Sequence, residues 1–445
     1  MVHSVLADDF QARCYWWNDF APLRSEGSLP ARAPVLIIGS GFGGLSAALE
    51  LSKRNVEVIV VDAHEIGWGA SSRNGGGVGA ALGIGKSFTG KQTLPSNVIR
   101  DLRTDAGQAF PLVLKIIEEE NIDCQLRHAG RFVGAATPGH YEGMRKRAAE
   151  LNATTTTNSH VLSREEQRSE VGSDYYFGGM VTDDGATIQP ALYVKGLIDA
   201  CLRRGVQFIS NTPVTKLEQQ GKQWKVTTSA GTCLVDDVIV ATNGYTSAVT
   251  PAFSKRIIPV ASHIIASEQL PESTMKELFP TGKMISDSKR VLYYYRPSPD
   301  GTRVIFGGRA RFTQVGAEKI GTLLQKAMVE RFPQIEGVKV SYAWSGLLGF
   351  TLDATAHMGK IDGLHYCMGC NGSGVSMMTY LGYQVARKVA QARDYNCAFE
   401  NHRFPSLPFY NGDTWFLPMV GSYYRMRDDI DRAWGVRQHN RQSEK

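Results

Sequence analysis

The sequence predicts an α/β protein in which a βαβ unit near the N terminus is followed by a larger, β-rich region. Residues 35–38 and 56–61 are short apolar runs typical of buried strands, and residues 44–54 between them carry apolar side chains at helical spacing. Further strand-like runs occupy much of the stretches 206–241 and 291–308. With 445 residues, the chain is long enough to form two domains with separate cores.

The other predicted elements follow in order along the chain. The span 69–95 is rich in glycine and serine and is predicted to be a loop. Helical spacing of apolar residues predicts helices near 97–119, 140–151, 190–204 and 316–331, and a last one that ends near 392. Apolar runs predict strands near 206–219, 223–228, 233–241, 291–296, 303–308 and 339–344. Ser-Pro-Asp-Gly at 298–301 separates two of these strands and is a turn signal.

The composition narrows the classes of function. Hydrophobic residues make up 42% of the chain and charged residues 21%, as in a folded globular protein. The net charge of +6 is not concentrated in a dense lysine or arginine run, which argues against nucleic acid as a partner. Seven dispersed cysteines suggest neither a disulfide framework nor a metal site, so we expect a reducing, cytoplasmic location. No apolar run approaches eighteen residues, so no transmembrane span is predicted.

The strongest motif is a glycine-rich turn between the first predicted strand and the first helix. Gly39, Gly41 and Gly44 form G-x-G-x-x-G, in which the glycines make a tight turn, let the backbone approach a pyrophosphate and permit close helix–strand packing. The helix N terminus adds N–H groups and a positive dipole end for the phosphates. Asp62 ends the second strand, where its carboxylate can accept hydrogen bonds from ribose hydroxyls. We expect the neighbouring residues Phe42, Gly43 and Ala63 to contact the same dinucleotide.

Three later turns favour FAD over a nicotinamide dinucleotide, because together they suit a long, bent ligand. GWGASSRNGG (67–76) offers small residues, hydroxyls and a cation, and ATNGY (241–245) ends a strand in a small-residue turn. GCNGSG (369–374) precedes a helix whose N terminus can direct donors at an anionic flavin edge. The predicted cofactor contacts in and around these turns are Gly69, Ala70, Ser71, Ser72, Arg73, Asn74, Gly75, Val214, Thr242, Asn243, Gly244, Gly346, Gly372, Ser373, Gly374 and Val375.

Together with YYYRPSPDGTRVIFGG (293–308) and WSG (344–346), these motifs resemble the FAD-dependent D-amino-acid oxidase superfamily, and within it the branch of γ-glutamylputrescine oxidase-like amine oxidases. The resemblance implies an α/β fold with a discontinuous, Rossmann-type FAD-binding domain plus a β-sheet-rich substrate domain. The implied division is 1–33 as an N-terminal lead-in, 34–110, 170–250 and 345–395 as the FAD-binding domain, 111–169 and 251–344 as the substrate domain, and 396–445 as a C-terminal extension.

At three positions the chain departs from the sequence pattern of the enzymes that it resembles. Glycine-oxidase-like relatives have an arginine for the substrate carboxylate where this chain has Leu348, which favours an amine whose charged end lies elsewhere. Sarcosine oxidases attach FAD through a cysteine near Ser345 and Gly346, so we expect non-covalent FAD here. Their oxygen-activating lysine corresponds to Ile305, which leaves oxidase and dehydrogenase open. Candidates to hold the charged end of a substrate are Arg296, Arg309 and Arg311.

The implied reaction is FAD-dependent oxidation of a C–N bond in a small amine or amino-acid-like substrate. Hydride transfer from a neutral amine to the flavin gives an imine, which hydrolyses to an aldehyde, and molecular oxygen as acceptor gives hydrogen peroxide. Two alternatives stay open: a D-amino acid or N-methyl amino acid dehydrogenase that passes electrons to a quinone or carrier, and a non-catalytic FAD-binding subunit. The predicted catalytic residues are Tyr295, Trp344 and Asn371, with Asn74 as a further lining residue.

The last fifty residues are predicted to be an extension laid over the surface. Residues 425–445 hold six basic and four acidic side chains, which is typical of a solvated end. The apolar run 415–420 could contact a membrane surface peripherally, but packing on the domain body is favoured because the run is only six residues long.

Overall fold

The computed structural model describes residues 5–25, 27–79, 84, 94–155, 157–400, 402–407 and 409–443. Within these ranges the chain forms two large sheets with helices packed on them. Of the predicted loop, residues 80–83 and 85–93 lie outside the described residues. The preceding part of that loop contains a 3-10 turn at Ala70–Ser72 and a short strand at Gly77–Gly79.

The described residues include ten α-helices and nineteen strands. The helices are α1 Phe42–Lys53, α2 Ser96–Ala106, α3 Ala109–Glu119, α4 Pro138–Thr154, α5 Pro190–Leu202, α6 Pro251–Ser254, α7 Glu272–Leu278, α8 Ala317–Arg331, α9 Gly374–Val389 and α10 Leu417–Ser443. The strands are β1 Leu6–Gln11, β2 Arg32–Ile38, β3 Val58–Val61, β4 Gly77–Gly79, β5 Arg131–Gly134, β6 Ser159–Leu162, β7 Gly179–Thr182, β8 Gly185–Thr187, β9 Gln207–Ile209, β10 Val214–Gln220, β11 Gln223–Thr228, β12 Gly231–Val240, β13 Ile258–Ser267, β14 Met284–Asp287, β15 Tyr293–Pro297, β16 Val304–Gly308, β17 Val340–Phe350, β18 His357–Ile361 and β19 Leu364–Met368.

Most predicted elements are confirmed with shifted ends, but two are divided. The predicted helix 97–119 is the pair α2 and α3, with Gly107 between them, because glycine is a poor helix former. The predicted strand 206–219 is the pair β9 and β10, with Pro213 between them, because proline lacks the N–H that a continuing ladder needs.

The eight-stranded sheet contains the predicted βαβ unit. Its main path runs β10-β11-β12-β2-β3-β9, and β19 also pairs with β12 and carries β18. Strands β12, β2, β3 and β9 are parallel neighbours, so their carboxyl ends lie at one edge. Helices α1, α5 and α9 cover one face. Helices α1 and α9 touch backbone to backbone, since a Cβ on Gly382 would lie 2.1 Å from the carbonyl oxygen of Gly43.

The nine-stranded sheet runs β1-β17-β13-β16-β15-β14-β5-β7-β6 and has two distinct faces. On one face, Phe306 and Ile265 belong to a core cluster with residues of α8. On the other face, Trp344, Ile264 and Ile305 pack against Trp16. We call this second face the inner face, because it contacts the 67–76 loop of the other sheet's domain, as the site geometry below shows.

The N-terminal lead-in contains a regular element that its sequence does not indicate. Residues Leu6–Gln11 form strand β1, which pairs in parallel with β17 at the edge of the nine-stranded sheet. Trp16 follows and is fully buried. The sequence LADDFQ gives little strand signal because an edge strand keeps polar side chains in solvent.

The strand pairing in the two sheets differs from the implied domain division at two places. Strand β7 lies in the nine-stranded sheet between β5 and β6, although 170–250 was expected in the FAD-binding domain. Strand β17 continues to Phe350 and pairs with β13 along this length, although 345–395 was expected there too. A strand belongs to the sheet with which it shares backbone hydrogen bonds, so β7 and the end of β17 belong with the nine-stranded sheet, whereas β9–β12, β18 and β19 lie in the eight-stranded one.

The C-terminal residues depart furthest from expectation, because the described part of this segment, 425–443, is not a solvated end. Helix α10 packs on the body: Asp428 is buried and accepts a hydrogen bond from the Val291 N–H at 2.9 Å, and the Arg432 guanidinium lies 3.5 Å from the centre of the Tyr175 ring. In the run 415–420, Leu417 is buried whereas Trp415 stays exposed. Among the described helices, none is long and apolar enough to span a membrane.

Candidate functional site

The glycine-rich turn has the geometry that its sequence predicts. Gly39 has φ +103°, and a Cβ there would lie 3.1 Å from the carbonyl oxygen of Ala241. A Cβ on Gly44 would lie only 1.9 Å from the carbonyl oxygen of Gly39. Helix α1 begins at Phe42, and its N-cap is Gly41, whose position lacks a side-chain cap. The turn therefore leaves a helix N terminus accessible to a phosphate.

Asp62 lies where β3 ends, beside this turn. Its Oδ2 accepts hydrogen bonds from the backbone N–H and the hydroxyl of Ser40, at 2.8 and 2.6 Å. The carbonyl of Asp62 accepts from the Thr212 N–H at 2.7 Å, which brings the start of β10 at Val214 into the same region. Ala63 is exposed next to Asp62. The carboxylate is thus held at the edge of the turn by short polar contacts.

The 67–76 loop is attached to the start of α1 and to the N-terminal segment. Ser71 Oγ accepts a hydrogen bond from the Phe42 N–H at 2.9 Å. Ser72 Oγ donates to the Gly67 carbonyl at 2.6 Å and accepts from the Trp17 indole at 3.0 Å. The hydroxyl of Ser71 is therefore beside the helix N terminus, whereas that of Ser72 holds the loop together.

Arg73 is held between aromatic rings. Its guanidinium carbon lies 3.9 Å from the centre of the Trp68 ring and 4.5 Å from that of Trp17, and Nη1 donates to the Ser345 carbonyl at 3.3 Å. The Arg73 carbonyl accepts from the Trp344 indole at 2.7 Å. Burial lowers the pKa of Arg73, and its buried Nε has no hydrogen-bond partner within the described residues. This side chain is therefore a buried cation at the junction of the two sheets, with one N–H left for a ligand.

Asn74 is part of the loop's own framework. Its Nδ2 donates to the Ser71 carbonyl at 2.7 Å, and its Oδ1 accepts from the Gly76 N–H at 2.8 Å. Its carbonyl accepts from the Trp16 indole at 2.8 Å. Because these bonds occupy the amide, Asn74 supports the loop and does not offer a free amide to a substrate.

Asn243 joins two of the predicted turns. Its Oδ1 accepts hydrogen bonds from the backbone N–H groups of Gly369 and Cys370, at 3.0 and 3.3 Å. A Cβ on Gly349 would lie 2.3 Å from this oxygen, and one on Gly244 would lie 2.8 Å from the backbone of β17. The two glycines therefore allow the ATNGY turn, the GCNGSG turn and the end of β17 to meet.

The GCNGSG turn ends at the N terminus of α9 with open space beside it. Gly372 has φ +92°, and a Cβ there would meet no atom within 4 Å. Ser373 is the N-cap of α9 and makes no side-chain cap bond. Asn371 accepts from the Thr351 N–H at 3.0 Å and donates to the carbonyl of Gly369 at 2.8 Å, so its amide fixes the turn.

The predicted turns, far apart in sequence, meet in one region. Besides the contacts above, a Cβ on Gly346 would lie 3.3 Å from the Ala70 Cβ, and one on Gly69 would lie 3.6 Å from the Tyr245 ring. The predicted cofactor positions brought together in this way are Gly39, Gly41, Phe42, Gly43, Gly44, Asp62, Ala63, Gly69, Ala70, Ser71, Ser72, Arg73, Asn74, Gly75, Val214, Thr242, Asn243, Gly244, Gly346, Gly372, Ser373, Gly374 and Val375.

The family described as DAO, FAD dependent oxidoreductase, matches residues 34–388, which contain all of these turns. The chain belongs to this family. It is 30% identical over 388 residues to the probable oxidoreductase OrdL of Haemophilus influenzae, covering 84% of this chain and 87% of that protein. It is 29% identical over 406 residues to the gamma-glutamylputrescine oxidoreductase of Escherichia coli, covering 89% of this chain and 93% of that protein.

Solved structures agree on the fold. Glycine oxidase from Geobacillus kaustophilus superposes with a TM-score of 0.71 at 19% identity, covering 85% of this chain and 100% of that one. L-Proline dehydrogenase from P. horikoshii superposes with a TM-score of 0.67 at 18% identity, covering 82% and 94%. The expected fold, a Rossmann-type FAD-binding domain with a substrate domain, is therefore confirmed.

The cofactor of this DAO-family protein is FAD, and the residues present suit it. Side chains at Gly41 or Gly44 would fill the space or break the turn that a pyrophosphate must approach. The uncapped start of α9 and the open space at Gly372 suit the flavin end. The unpaired Nε of Arg73 adds a donor for an anionic group. These are features of a dinucleotide cradle rather than of a closed core.

The inner face of the nine-stranded sheet carries hydroxyls in the midst of apolar and small residues. The Tyr294 hydroxyl lies 3.1 Å from Ser262 Oγ, and burial raises the pKa of Tyr294 to about 12. A Cβ on Gly75 would lie 2.6 Å from the Tyr294 ring, and one on Gly307 would lie 2.5 Å from it. Ser262 pairs across the sheet with Gly346, so these groups adjoin the FAD-binding loop.

The structure corrects the expectation for Tyr295. Its side chain is fully buried on the opposite face of the sheet, where its hydroxyl lies 2.6 Å from that of Tyr176 and its ring stacks on Phe306 at 5.2 Å. Successive residues of a strand point to opposite faces, so Tyr294 is the tyrosine that faces the FAD-binding domain. The sequence of the strand does not show which of the two tyrosines faces the FAD-binding domain. The glycines at 75 and 307, which leave room for the Tyr294 ring, indicate that it is Tyr294.

Trp344 and Asn371 lie in the expected region but with their polar atoms engaged. The Trp344 indole is buried, donates to Arg73 and packs edge-on against Trp16 at 6.2 Å. Asn371 is bonded within its turn, as described above. These contacts make both residues supports of the cofactor loops in the structure, and a catalytic role for either stays a prediction.

The three arginine candidates have different surroundings. Arg296 is buried, and burial lowers its pKa to about 9. It donates to the Ile188 carbonyl at 2.8 Å and so supports the segment that leads into α5. Arg309 is partly exposed, and its guanidinium carbon lies 5.3 Å from the centre of the Phe350 ring. Arg309 follows Gly308, which ends β16. Arg311 lies two residues further along. Arg296 also lies on the inner face, with its guanidinium carbon 5.1 Å from the centre of the Trp16 ring, but it is buried, whereas Arg309 is partly exposed.

Proposed function

We propose that this protein uses FAD to oxidise a C–N bond of a small amine whose charged end is bound away from the reacting nitrogen. The main support for this proposal is Leu348, an apolar, partly buried residue of β17 that packs against both the FAD-domain core and the cluster containing Phe350. A leucine offers no partner to a substrate carboxylate at this position. The named relative from Escherichia coli, a gamma-glutamylputrescine oxidoreductase, supports an amine of this kind.

Arg309 is the proposed anchor for an anionic end of the substrate. Desolvation lowers its pKa, and its described hydrogen bond is a 3.2 Å contact to the Arg290 carbonyl, which leaves guanidinium N–H groups for a ligand. It lies over Phe350, in the same apolar cluster as Leu348. A substrate with a carboxylate at one end and an amine at the other would therefore lie along β17 between Arg309 and the FAD-binding loop.

The inner face also sets the protonation state of the substrate. Oxidation needs a neutral amine, since a protonated nitrogen has no lone pair to assist loss of the α-hydride. Burial against Leu348 and Phe350 disfavours an ammonium ion and lowers the pKa of the substrate's amine. The hydroxyls of Tyr294 and Ser262 are polar groups able to orient the nitrogen. When bound, FAD supplies the acceptor for the hydride, and the released imine hydrolyses in water.

A dehydrogenase that passes electrons to a quinone or other carrier is the second candidate. Ile305, which the family resemblance matches to an oxygen-activating lysine, is a buried apolar residue packed with Trp16 and Trp344. The position therefore offers no cation to favour reaction with oxygen. Molecular oxygen, giving hydrogen peroxide, is the acceptor in the first candidate.

Anaerobic reduction of the holoenzyme tests the proposal. Polyamines, γ-glutamylated polyamines, N-methyl amino acids and D-amino acids are mixed separately with the protein, and loss of the yellow flavin absorbance is followed. We expect amines with a remote carboxylate to bleach the flavin fastest, and D-amino acids to do so slowly. Bleaching by D-amino acids alone would contradict the proposal, and bleaching by none of the panel would favour a non-catalytic subunit. Peroxide formation after readmission of air separates the oxidase from the dehydrogenase.

A further inference from the structure

One side of helix α10 is firmly anchored to the protein. Asp428 accepts hydrogen bonds from the Val291 N–H and from Arg290, at 2.9 and 3.0 Å. Arg432 donates to the carbonyls of Ala136 and Tyr175, both at 2.9 Å. The helix therefore keeps one orientation on the body, and its opposite side is presented to solvent as a fixed surface.

That opposite side is apolar. Six large hydrophobic residues, each 47–71% exposed, follow one another at intervals of three or four positions, which places five of them on one side of the helix and the first in the turn just before it. We call them the C-terminal stripe: Trp415, Met419, Tyr423, Met426, Ile430 and Trp434.

The C-terminal stripe differs from the other exposed hydrophobic residues of the described chain. Leu126, Leu202, Leu407 and Phe409 are the remaining large ones, and the first two lie far from the stripe in sequence. Single exposed apolar residues are ordinary, whereas a contiguous apolar patch marks an interaction surface. Two tryptophans and two methionines are also residue types enriched at protein interfaces.

The spacing and area of the stripe favour another helix of the same kind as its occupant. Intervals of three and four residues are those with which helices pack their side chains into one another. A large side chain offers roughly 150–250 Å² of surface. At the observed exposures, the stripe presents on the order of 700 Å², close to the roughly 800 Å² per partner of a stable interface.

Side chains of both charges lie beside the C-terminal stripe. Arg427 and Asp429 are both exposed and flank Met426 and Ile430 on the same helix. Asp429 lies 3.8 Å from the Lys289 ammonium, and a carboxylate at this border differs from the basic border of a helix that lies on a membrane. In a two-fold dimer, a second copy of the chain presents its Asp429 carboxylate as a partner for the Arg427 guanidinium of the first.

We propose that the C-terminal stripe is the contact surface of a homodimer, in which α10 of one protomer packs against α10 of its partner about a two-fold axis. The buried side of the same helix belongs, through Leu417 and Tyr424, to the cluster that contains Leu348 and Phe350. Pairing would therefore also hold in place the segment that packs beside the proposed substrate position.

The mass of the FAD-loaded full chain in solution tests this proposal. Light scattering behind size-exclusion chromatography should give twice the chain mass for the natural protein and once the chain mass for a Met426→Glu, Ile430→Glu double variant. Leu202→Glu is the matched control, because Leu202 is a similarly exposed hydrophobic residue at the end of another helix. It should remain dimeric. Flavin content and circular dichroism should be equal in all three proteins, since every substituted side chain is exposed.

A cysteine cross-link gives a second, independent readout. Met426→Cys lies near the middle of the stripe and should form a disulfide-linked dimer on mild oxidation, whereas Leu202→Cys should not, and all seven natural cysteines are buried. A natural protein that is monomeric at its highest soluble concentration would overturn the proposal, as would a dimer that survives the double glutamate change. Co-sedimentation of a monomer with phosphatidylcholine–phosphatidylglycerol vesicles, abolished by the same change, would assign the stripe to a membrane instead.

Discussion

The side-chain oxygen of Asn243 accepts a hydrogen bond from the backbone N–H of Gly369 at 3.0 Å, across 126 residues of sequence. The bond joins the turn after β12 to the turn before α9, and these are two of the turns that resemble parts of an FAD site. A single amide side chain thus fixes the relative position of segments that no local interaction could bring together.

Asn243→Ala should weaken both the fold and cofactor binding. The N–H groups of Gly369 and Cys370 would lose their acceptor, at a cost of about 1–3 kcal/mol in the free energy of unfolding. Thermal unfolding and the ratio of flavin to protein absorbance measure the two effects. Asn211→Ala is the control, because Asn211 also has a positive φ, of 52°, but the hydrogen bond of its side chain among the described residues is a long one, of 3.5 Å to Ser210. Equal losses in the two variants would assign the effect to backbone strain.

Asp62→Asn should lower the affinity for FAD while leaving the chain folded. The neutral amide would lose the charge-assisted hydrogen bonds expected with the ribose, worth about 1.5–3 kcal/mol, or a roughly tenfold to hundredfold higher dissociation constant. Titration of the apoprotein by quenching of flavin fluorescence measures the change. Asp101→Asn, at an exposed position on α2, serves as the control. An unchanged dissociation constant would remove Asp62 from the proposed cofactor site.

FAD should be released when the protein is denatured. Ser345 and Gly346 occupy the segment in which the resembled sarcosine oxidases have an attaching cysteine, and neither carries a thiol. Precipitation with trichloroacetic acid should leave the flavin in the supernatant. Flavin fluorescence retained by the denatured chain on a gel would show a covalent link at another residue.

Leu348→Arg should shift the substrate preference towards amino acids. The new guanidinium could bind an α-carboxylate through two hydrogen bonds, and we expect a gain of roughly tenfold or more in kcat/KM for glycine, sarcosine or D-alanine. Leu347→Arg is the matched control, since the adjacent residue of β17 points to the other face. A gain in both variants would mean that position 348 does not face the substrate.

Arg309→Met should weaken the binding of an amine that has a remote carboxylate. We expect a rise in KM of roughly tenfold or more with a smaller change in kcat, because the guanidinium would bind the remote end in both the ground state and the transition state. Arg309→Lys should recover part of the loss, since it restores the charge without the fork. Simple diamines without a carboxylate should be little affected, and an equal loss for them would contradict a role in anion binding.

Acid should destabilise the protein partly through His263. Burial lowers the pKa of this imidazole from 6.5 to about 4, so the folded state takes up a proton less readily than the unfolded chain. Its contribution to stability is therefore complete above pH 6.5 and is lost as the pH falls towards about 4, by about 2 kcal/mol between roughly pH 6.5 and pH 5. Urea unfolding of His263→Gln should show a weaker pH dependence over this range. His160→Gln, at an exposed position, serves as the control substitution.

The FAD-binding half of the protein could be predicted from local sequence patterns. The glycine spacing at 39–44 and the carboxylate at Asp62 depend on neighbours in one βαβ unit, and the structure reproduces them with φ +103° at Gly39. The choice between Tyr294 and Tyr295 could not be made in the same way. Both are aromatic, and which one faces the cofactor depends on pairing with β16 and β14.

The sequence by itself determined the dinucleotide turn, the family and most helices and strands, because these follow from backbone conformation and from side-chain periodicity over short stretches. Only the tertiary structure decided that the four turns meet, that β17 belongs to the substrate sheet as far as Phe350, and that 417–443 is a helix with a buried and an exposed side. These features depend on contacts between residues far apart in the chain, such as the one between Asp428 and Val291, and such contacts leave no periodic trace in the sequence.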